Sequence, residues 1–105
     1  TFNELSPDFV INCVAYTQVD AAEEEENQKL AFEVNAEAVE ELAKVCQINN
    51  SILLHFSTDY VFDGEKSGGY SEDDETMPAT AYGKSKLEFH LFSYGENFSK
   101  IFIYF

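Results

Sequence analysis

An apolar run that ends in two hydroxyl residues constrains the fold of this chain more than any other feature. Residues 52–56 are apolar apart from His55, and Ser57 and Thr58 follow directly. A short run of this kind is typical of a buried strand. Because ligands of open α/β sheets lie outside the carboxyl ends of the strands, the two hydroxyls are well placed for chemistry.

A second pattern lies at residues 82–86, where a helix is predicted to begin. Tyr82 and Lys86 are four residues apart, so they lie on one helix face, one turn apart. A nearby ammonium lowers the pKa of a tyrosine, ordinarily about 10, toward the working range of an acid. A Tyr-x-x-x-Lys pair alone more often belongs to an ordinary helix. The hydroxyl of Thr58, at the end of the preceding strand, is what favours catalysis here.

The remaining periodicities predict an α/β fold. Strands are expected near residues 9–14, 51–57 and 100–105, alternating with helices near 22–48 and 81–94. The first strand is nearly all apolar, which predicts a parallel strand covered on both faces. We therefore predict part of a Rossmann-type, doubly wound parallel sheet with its three strands side by side and one edge exposed.

The connecting segments carry weaker signals. Residues 1–8 are predicted to be a connector, and residues 63–81 a long surface loop that overhangs the carboxyl edge of the sheet. Asn35 is the polar exception near the apolar face of the first long helix, and we predict a structural bond to a neighbouring backbone, with cofactor contact as the alternative. That apolar face is predicted to comprise Leu30, Val34, Ala38, Leu42, Val45 and Ile48, widened by Ala31, Ala43 and Cys46.

No metal site is predicted from the sequence. Cys13 and Cys46 have no metal or redox spacing, and both are interpreted as small buried residues of a protein in a reducing compartment. His55 is interpreted as packed in the sheet and His90 as a residue of a helix surface. The acids at 73 and 74 are assigned to the loop surface.

Charge and hydropathy exclude other classes of function. The formal net charge is −14 with only six Lys and Arg residues, which disfavours nucleic acid as a partner. No apolar stretch approaches the roughly 20 residues of a membrane span. A basic segment followed by an apolar one, the pattern of a signal peptide, is not seen either. We therefore predict a cytoplasmic domain that binds neither nucleic acid nor membranes.

Several blocks of sequence, in order and spacing, resemble one family. Residues 57–64, 70–74 and 82–88, together with 7–23 and 32–36 upstream, are similar to the middle of the dTDP-4-dehydrorhamnose reductases. This family belongs to the extended short-chain dehydrogenase/reductase superfamily. The resemblance covers roughly residues 6–88.

The resemblance implies a reaction and roles for particular residues. The reaction is reduction of the 4-keto group of a dTDP-4-dehydro-6-deoxy sugar by NADPH or NADH, in nucleotide-sugar and cell-surface polysaccharide biosynthesis. Tyr82 would donate the proton, and Lys86 would lower the pKa of Tyr82 and bond the nicotinamide ribose. Thr58 would bond the reacting oxygen or Tyr82, and Asp59 would help to position substrate.

The resemblance also implies a cofactor segment at Ala15, Tyr16 and Thr17, acting with Tyr82 and Lys86. The family usually has alanine where this chain has Val14. No Gly-x-x-Gly-x-x-Gly follows a strand, so we expect the chain to be the central part of a NAD(P)-binding domain, without its Gly-rich segment or a C-terminal substrate domain, and inactive alone. A homodimer of the full-length protein is a further expectation.

A second hypothesis comes from a non-catalytic relative of the same fold. The regulatory subunit of methionine adenosyltransferase resembles this family and binds a partner enzyme. The presence of Thr58, Tyr82 and Lys86 favours catalysis over this binding role.

Overall fold

A parallel three-stranded sheet forms the centre of the molecule. The computed structural model describes residues 1–94 and 100–103, with side chains as far as Leu91. The strands are β1 (Phe9–Asn12), β2 (Ile52–Phe56) and β3 (Lys100–Ile103), in the order β1-β2-β3 and all parallel. The predicted side-by-side arrangement is confirmed. Strand β1 ends at residue 12, two residues earlier than predicted, and residues 104–105 of the predicted third strand lie outside the described residues.

The amino-terminal segment is not a plain connector. It forms a short helix, α1 (Phe2–Leu5), whose first turn is capped by Thr1. The Thr1 hydroxyl accepts a hydrogen bond from the Glu4 N–H at 3.3 Å, which satisfies one of the free donors at a helix start.

The helix predicted over residues 22–48 is divided. A 3-10 turn (Ala21–Glu23) precedes an extended Glu24, at ψ 136°, and α2 (Glu25–Phe32) starts only after it. A π-helical turn (Glu33–Glu37) then joins α2 to α3 (Ala38–Ile48). The predicted apolar face was wrong in detail, because Leu30, Val45 and Ile48 are 44%, 38% and 79% exposed. The face that is buried carries Ala31, Asn35, Val39, Ala43 and Cys46.

Helix α4 (Ala81–Tyr94) has the predicted bounds and packs along this small-residue face. Alanines at 31 and 81 are both buried where α2 meets α4, since small side chains allow two helices to approach closely. The main apolar core joins α3, β2 and α4 and consists of Val39, Ala43, Cys46, Leu53 and Phe89.

The helices cover one face of the sheet. Along β2, Leu53 and His55 are buried, whereas the alternate residues are only half-buried. On β1, Phe9 and Ile11 are each 61% exposed. The prediction that the first strand is covered on both faces was therefore wrong for the described part of the chain. Among its helices, none has the length and apolar character that crossing a membrane requires.

Two of the four cysteine and histidine assignments were wrong. Cys46 and His55 are buried as predicted, but Cys13 is exposed, because β1 ends before it. His90 is 2% exposed and is not a helix-surface residue. It lies two turns beyond Tyr82 on the inner face of α4, where a helical period of 3.6 residues places it.

Candidate active site

Thr58 lies where β2 ends and the chain turns. It is buried, and its hydroxyl accepts from the Tyr60 N–H at 3.3 Å, which caps a 3-10 turn (Asp59–Val61). The same hydroxyl lies 3.3 Å from Oδ1 of Asp59, toward which it donates. The turn thus fixes Thr58 at the carboxyl end of the strand, with the exposed Asp59 next to it.

The start of α4 contacts both the Ala21–Glu23 turn and the Asp59–Val61 turn. The Gly83 N–H donates to the Thr80 hydroxyl at 3.0 Å, and the Ala81 N–H donates to the Glu23 carboxylate at 2.7 Å. A β-carbon at Gly83 would lie 2.2 Å from the Tyr60 carbonyl oxygen. Only glycine therefore allows the helix to approach the turn this closely.

Tyr82 is brought beside that turn. Its ring meets the ring of Tyr60 edge to face, with centroids 5.5 Å apart, and the residue is 9% exposed. Tyr82 also belongs to a cluster with Ala22, Ala31 and Ala81. Its position in the first turn of α4 is as predicted.

Lys86 reaches the end of β2 from the next turn of α4. It is 2% exposed, and its Nζ donates to the Phe56 carbonyl oxygen at 2.7 Å and lies 3.4 Å from Nε2 of His55. Burial lowers the pKa of Lys86 to about 8, since a desolvated ammonium is unfavourable. The role of Lys86 in lowering the pKa of Tyr82 stays a prediction.

Asn35 joins the predicted cofactor segment to α4. Its side chain accepts from the Tyr16 N–H at 2.9 Å and donates to the Tyr16 carbonyl at 3.1 Å and to the Ser85 hydroxyl at 2.9 Å. Ser85 in turn donates to the Tyr82 carbonyl oxygen at 2.8 Å. The preferred interpretation of Asn35, a bond to neighbouring backbone, is confirmed. The π-helical turn that carries it is a local irregularity of a kind often found at functional sites.

The predicted cofactor residues lie beside the predicted catalytic ones. Ala15 and Tyr16 are half-buried and Thr17 is exposed. Tyr16 packs against the cluster that contains Tyr82. The segment therefore places the exposed side chain of Thr17 one residue from Tyr16, which packs at the start of α4.

Sequence reasoning missed two polar contacts, one part-buried and one buried. His55 Nδ1 lies 3.2 Å from Nδ2 of Asn12, and the Ser57 hydroxyl lies 2.8 Å from Nε2 of His90. Burial, and then the charges of Lys86 and His90, lower the pKa of His55 to about 3. For His90 alone the sequence carried a signal, since residues 82, 86 and 90 repeat every four residues on one helix face.

An open cleft lies next to the site. It has a volume of about 300 Å³ and is lined by Asp59, Tyr60, Phe62, Asp63, Gly64, Ala79 and Thr80. The loop predicted over residues 63–81 packs against one wall, because the ring of Tyr70 stacks on that of Phe62 with centroids 4.4 Å apart. Across this loop, Lys66 pairs with Asp74 at 2.7 Å, and that hydrogen bond lowers the pKa of the Asp74 carboxyl. Within the described residues, no group of three or more His, Cys, Asp or Glu side chains is arranged to hold a metal ion.

Three comparisons relate the chain to known proteins. A family model described as RmlD substrate binding domain matches residues 1–96. A probable low-salt glycan biosynthesis reductase of Haloferax volcanii is 49% identical over 85 residues, which are 81% of this chain and 28% of that protein. A dTDP-4-dehydrorhamnose reductase of Aggregatibacter actinomycetemcomitans is 49% identical over 86 residues, 82% of this chain and 29% of that protein.

A solved structure shows the same fold. The dTDP-4-dehydrorhamnose reductase of Bacillus anthracis, crystallised in complex with NADP, superimposes with a TM-score of 0.90 at 33% identity. The match covers 98% of this chain and 36% of that one. The predicted α/β, Rossmann-type fold class is confirmed. The chain spans less than a third of the length of the two curated relatives.

Proposed function

The chain belongs to the family described as RmlD substrate binding domain, and we propose that the protein containing it is an NAD(P)H-dependent oxidoreductase. Its reaction is reduction of the 4-keto group of a dTDP-4-dehydro-6-deoxy sugar, dTDP-4-dehydrorhamnose to dTDP-rhamnose. The names of the relatives support this reaction. They do not favour the alternative of a regulatory subunit.

One observation carries the proposal. At the carboxyl end of β2, the Lys86 Nζ bonds the Phe56 carbonyl and Thr58 follows two residues later, and the ring of Tyr82 meets that of Tyr60 in the next turn. This is the edge of a parallel sheet at which ligands bind. A hydroxyl, a phenol and an amine held there by rigid elements are the groups that carbonyl reduction requires.

The chemistry of the donor set fits a nicotinamide cofactor. Backbone at Ala15, the hydroxyls of Tyr16 and Thr17, and the side chains of Tyr82 and Lys86 would hold it. When bound, such a cofactor supplies the hydride. Asn35 bonds both backbone groups of Tyr16 and so fixes this segment before a ligand binds. Because the segment is already ordered, the entropic cost of binding is smaller.

The proton chemistry belongs to the side chains of the chain itself. Tyr82 donates its phenolic proton to the oxygen of the substrate carbonyl as negative charge develops there. Lys86, when protonated, favours the resulting phenolate, and its Nζ also bonds a ribose hydroxyl. Thr58 donates a hydrogen bond to the same oxygen, which requires its hydroxyl to turn from Asp59 to the substrate.

In this proposal the sugar of the substrate binds in the cleft next to Thr58. Asp59 and Asp63 offer carboxylates that accept hydrogen bonds from sugar hydroxyls, and Tyr60 offers an aromatic face for a ring to pack on. This assigns Asp59 a positioning role toward substrate and none in proton transfer.

Replacing the proton donor tests the proposal. In the full-length protein, Tyr82→Phe should lower turnover of dTDP-4-dehydrorhamnose about 100-fold or more, the scale of lost acid catalysis, as measured by NADPH oxidation. Tyr70→Phe removes a phenol that bonds Asp63 in the neighbouring loop and has no part in proton transfer, so it should lower turnover far less than Tyr82→Phe. Near-normal turnover of Tyr82→Phe would remove Tyr82 from the mechanism, and an inactive native protein with tight binding to another enzyme would reject the reductase function.

The proposal extends to the rest of the protein, its location and its partners. The chain forms the central part of a NAD(P)-binding domain whose Gly-rich segment and substrate domain lie elsewhere in the protein, and alone it is catalytically inactive. The protein is cytoplasmic, binds its nucleotide-sugar substrate but neither nucleic acid nor membranes, and forms a homodimer.

A further inference from the structure

A line of hydrogen-bonding groups crosses the sheet from β1 to α4. Asn12 and His55 are directly opposite in the β1–β2 ladder. The Val14 N–H donates to Oδ1 of Asn12 at 3.1 Å, so the Asn12 amide turns its Nδ2 toward His55 Nδ1, 3.2 Å away. On the other side of the ring, Nε2 of His55 lies 3.4 Å from Nζ of Lys86.

The direction of these bonds decides the state of each group. Asn12 Nδ2 is a donor only, so Nδ1 of His55 must accept, and a neutral imidazole then carries its proton on Nε2. Nε2–H therefore points at Lys86. An ammonium has no acceptor to offer, whereas a neutral amine accepts from Nε2–H with its lone pair and still donates to the Phe56 carbonyl at 2.7 Å.

The protonated state of Lys86 needs the opposite arrangement. Nε2 must then accept from the ammonium, the proton of His55 must reside on Nδ1, and Nδ1–H must find an acceptor. The backbone of Asn12 lies close enough to the ring to raise the pKa of His55, and its carbonyl oxygen supplies that acceptor when the Asn12 amide releases the ring.

We propose that Asn12 and His55 are positioning residues for Lys86, and that the tautomer of His55 is coupled to the charge of Lys86. The Nε2–H tautomer, favoured by the Asn12 amide, accompanies the neutral amine, and the Nδ1–H tautomer accompanies the ammonium. Asn12 thereby sets how readily Lys86 is charged. The consequence for catalysis rests on the proposed reductase function, but the coupling itself does not.

The surroundings allow the pair to act this way. Among the described residues, no carboxylate lies within ion-pairing distance of Lys86, so the imidazole and the Phe56 carbonyl are its polar contacts. His90 faces the His55 ring from α4, Glu33 lines the same groove as Asn12, and β3 places the backbone of Phe102 beside residue 55. The low pKa of His55 keeps its ring neutral across the pH range in which Lys86 titrates.

Nitrogen-15 NMR of the imidazole groups in the full-length protein tests the coupling directly. His55 is assigned by its absence from the His55→Gln variant. We expect its tautomer to change from Nδ1–H to Nε2–H as the pH rises through about 8, in step with Lys86, whose titration is followed by its 13Cε resonance and assigned with Lys86→Gln. A single tautomer at every pH, or an imidazolium near neutral pH, would overturn the proposal.

Two variants of Asn12 separate the effect of losing its hydrogen bond to His55 from the effect of adding a negative charge. In Asn12→Asp the carboxylate still accepts from the Val14 N–H, but toward His55 it can only accept, from Nδ1–H. Asn12→Leu removes the amide donor to His55 without adding a charge. Both should raise the pKa of Lys86, by about one unit for the leucine and more for the aspartate. The pH dependence of kcat should shift by the same amount with little change in KM.

The outcomes distinguish this proposal from the proposed function. An unchanged Lys86 pKa in Asn12→Leu contradicts the coupling, whatever the activity of the protein. The expected tautomers and pKa shifts in a protein without reductase activity would reject the proposed function and leave the coupling established.

Discussion

The two faces of the sheet differ in what covers them and in what their side chains do. On the helix-covered face lie buried polar residues, among them Asn35, His55, Ser85 and Lys86, each with a hydrogen-bond partner. On the opposite face, Phe9 and Ile11 of β1 are mostly exposed. The face that is more polar is thus the one that is better packed.

The contrast shows how the candidate site is built. A buried polar group costs free energy unless it is paired, and a paired network holds its members in one arrangement. On the covered face this network fixes Tyr16, Tyr82 and Lys86 relative to each other. On the open face, Phe9 and Ile11 lose little apolar surface to their neighbours in the described part of the chain, so they contribute little to its stability.

The largest expected effect comes from removing the amide at the centre of the covered face. Asn35→Leu would leave the N–H and C=O of Tyr16 and the hydroxyl of Ser85 without their partner. We expect the free energy of unfolding to fall by about 4 kcal/mol, measured by urea denaturation.

Asn49→Leu is the matched control for that change, because Asn49 makes one bond, to the Val45 carbonyl at 2.9 Å, at an exposed position. It should cost less than about 1 kcal/mol. Equal losses in the two variants would show that the covered face has no special dependence on its polar network.

Acid should weaken the covered face next most strongly. In the unfolded chain a histidine has a pKa of 6.5, but in the folded chain the pKa of His55 is about 3. Between these values the unfolded state binds a proton that the folded state does not, so stability is lost as the pH falls from 6.5 toward 3. The expected contribution at pH 4 is on the order of 3 kcal/mol.

Denaturation midpoints of the native chain and of His55→Gln, compared from pH 7 to pH 4, isolate this contribution from that of the carboxylates. The variant should lose less stability over the same range. Parallel curves would mean that His55 takes up its proton in the folded state as readily as in the unfolded one.

The smallest effect is expected on the open face. Ile11→Ala should change the free energy of unfolding by no more than about 0.5 kcal/mol, since Ile11 is 61% exposed. Leu53→Ala, on the covered face at 1% exposure, should cost about 3 kcal/mol. A cost for Ile11→Ala close to that for Leu53→Ala would show that something covers the open face, and repeating the pair in the full-length protein would show whether that cover is present there.

The sequence by itself determined the alternation of strands and helices and the positions of Thr58, Tyr82 and Lys86. Apolar runs and helical spacing are local properties, so β2 and α4 follow from them, as does the placement of a hydroxyl at the strand end. The preferred role of Asn35 also followed, because an amide on an apolar face must find a partner.

Only the tertiary structure decided which faces are buried. Ala31 and Ala43 are buried and Leu30 and Ile48 are not. The helices lie so close to α4 that small side chains fit between them and large apolar ones do not. His90 is buried because Ser57, 33 positions earlier in the chain, supplies its partner. The contact of Asn12, His55 and Lys86 likewise joins β1, β2 and α4. Hydrogen bonds between residues so far apart in the chain produce no periodic pattern in the sequence.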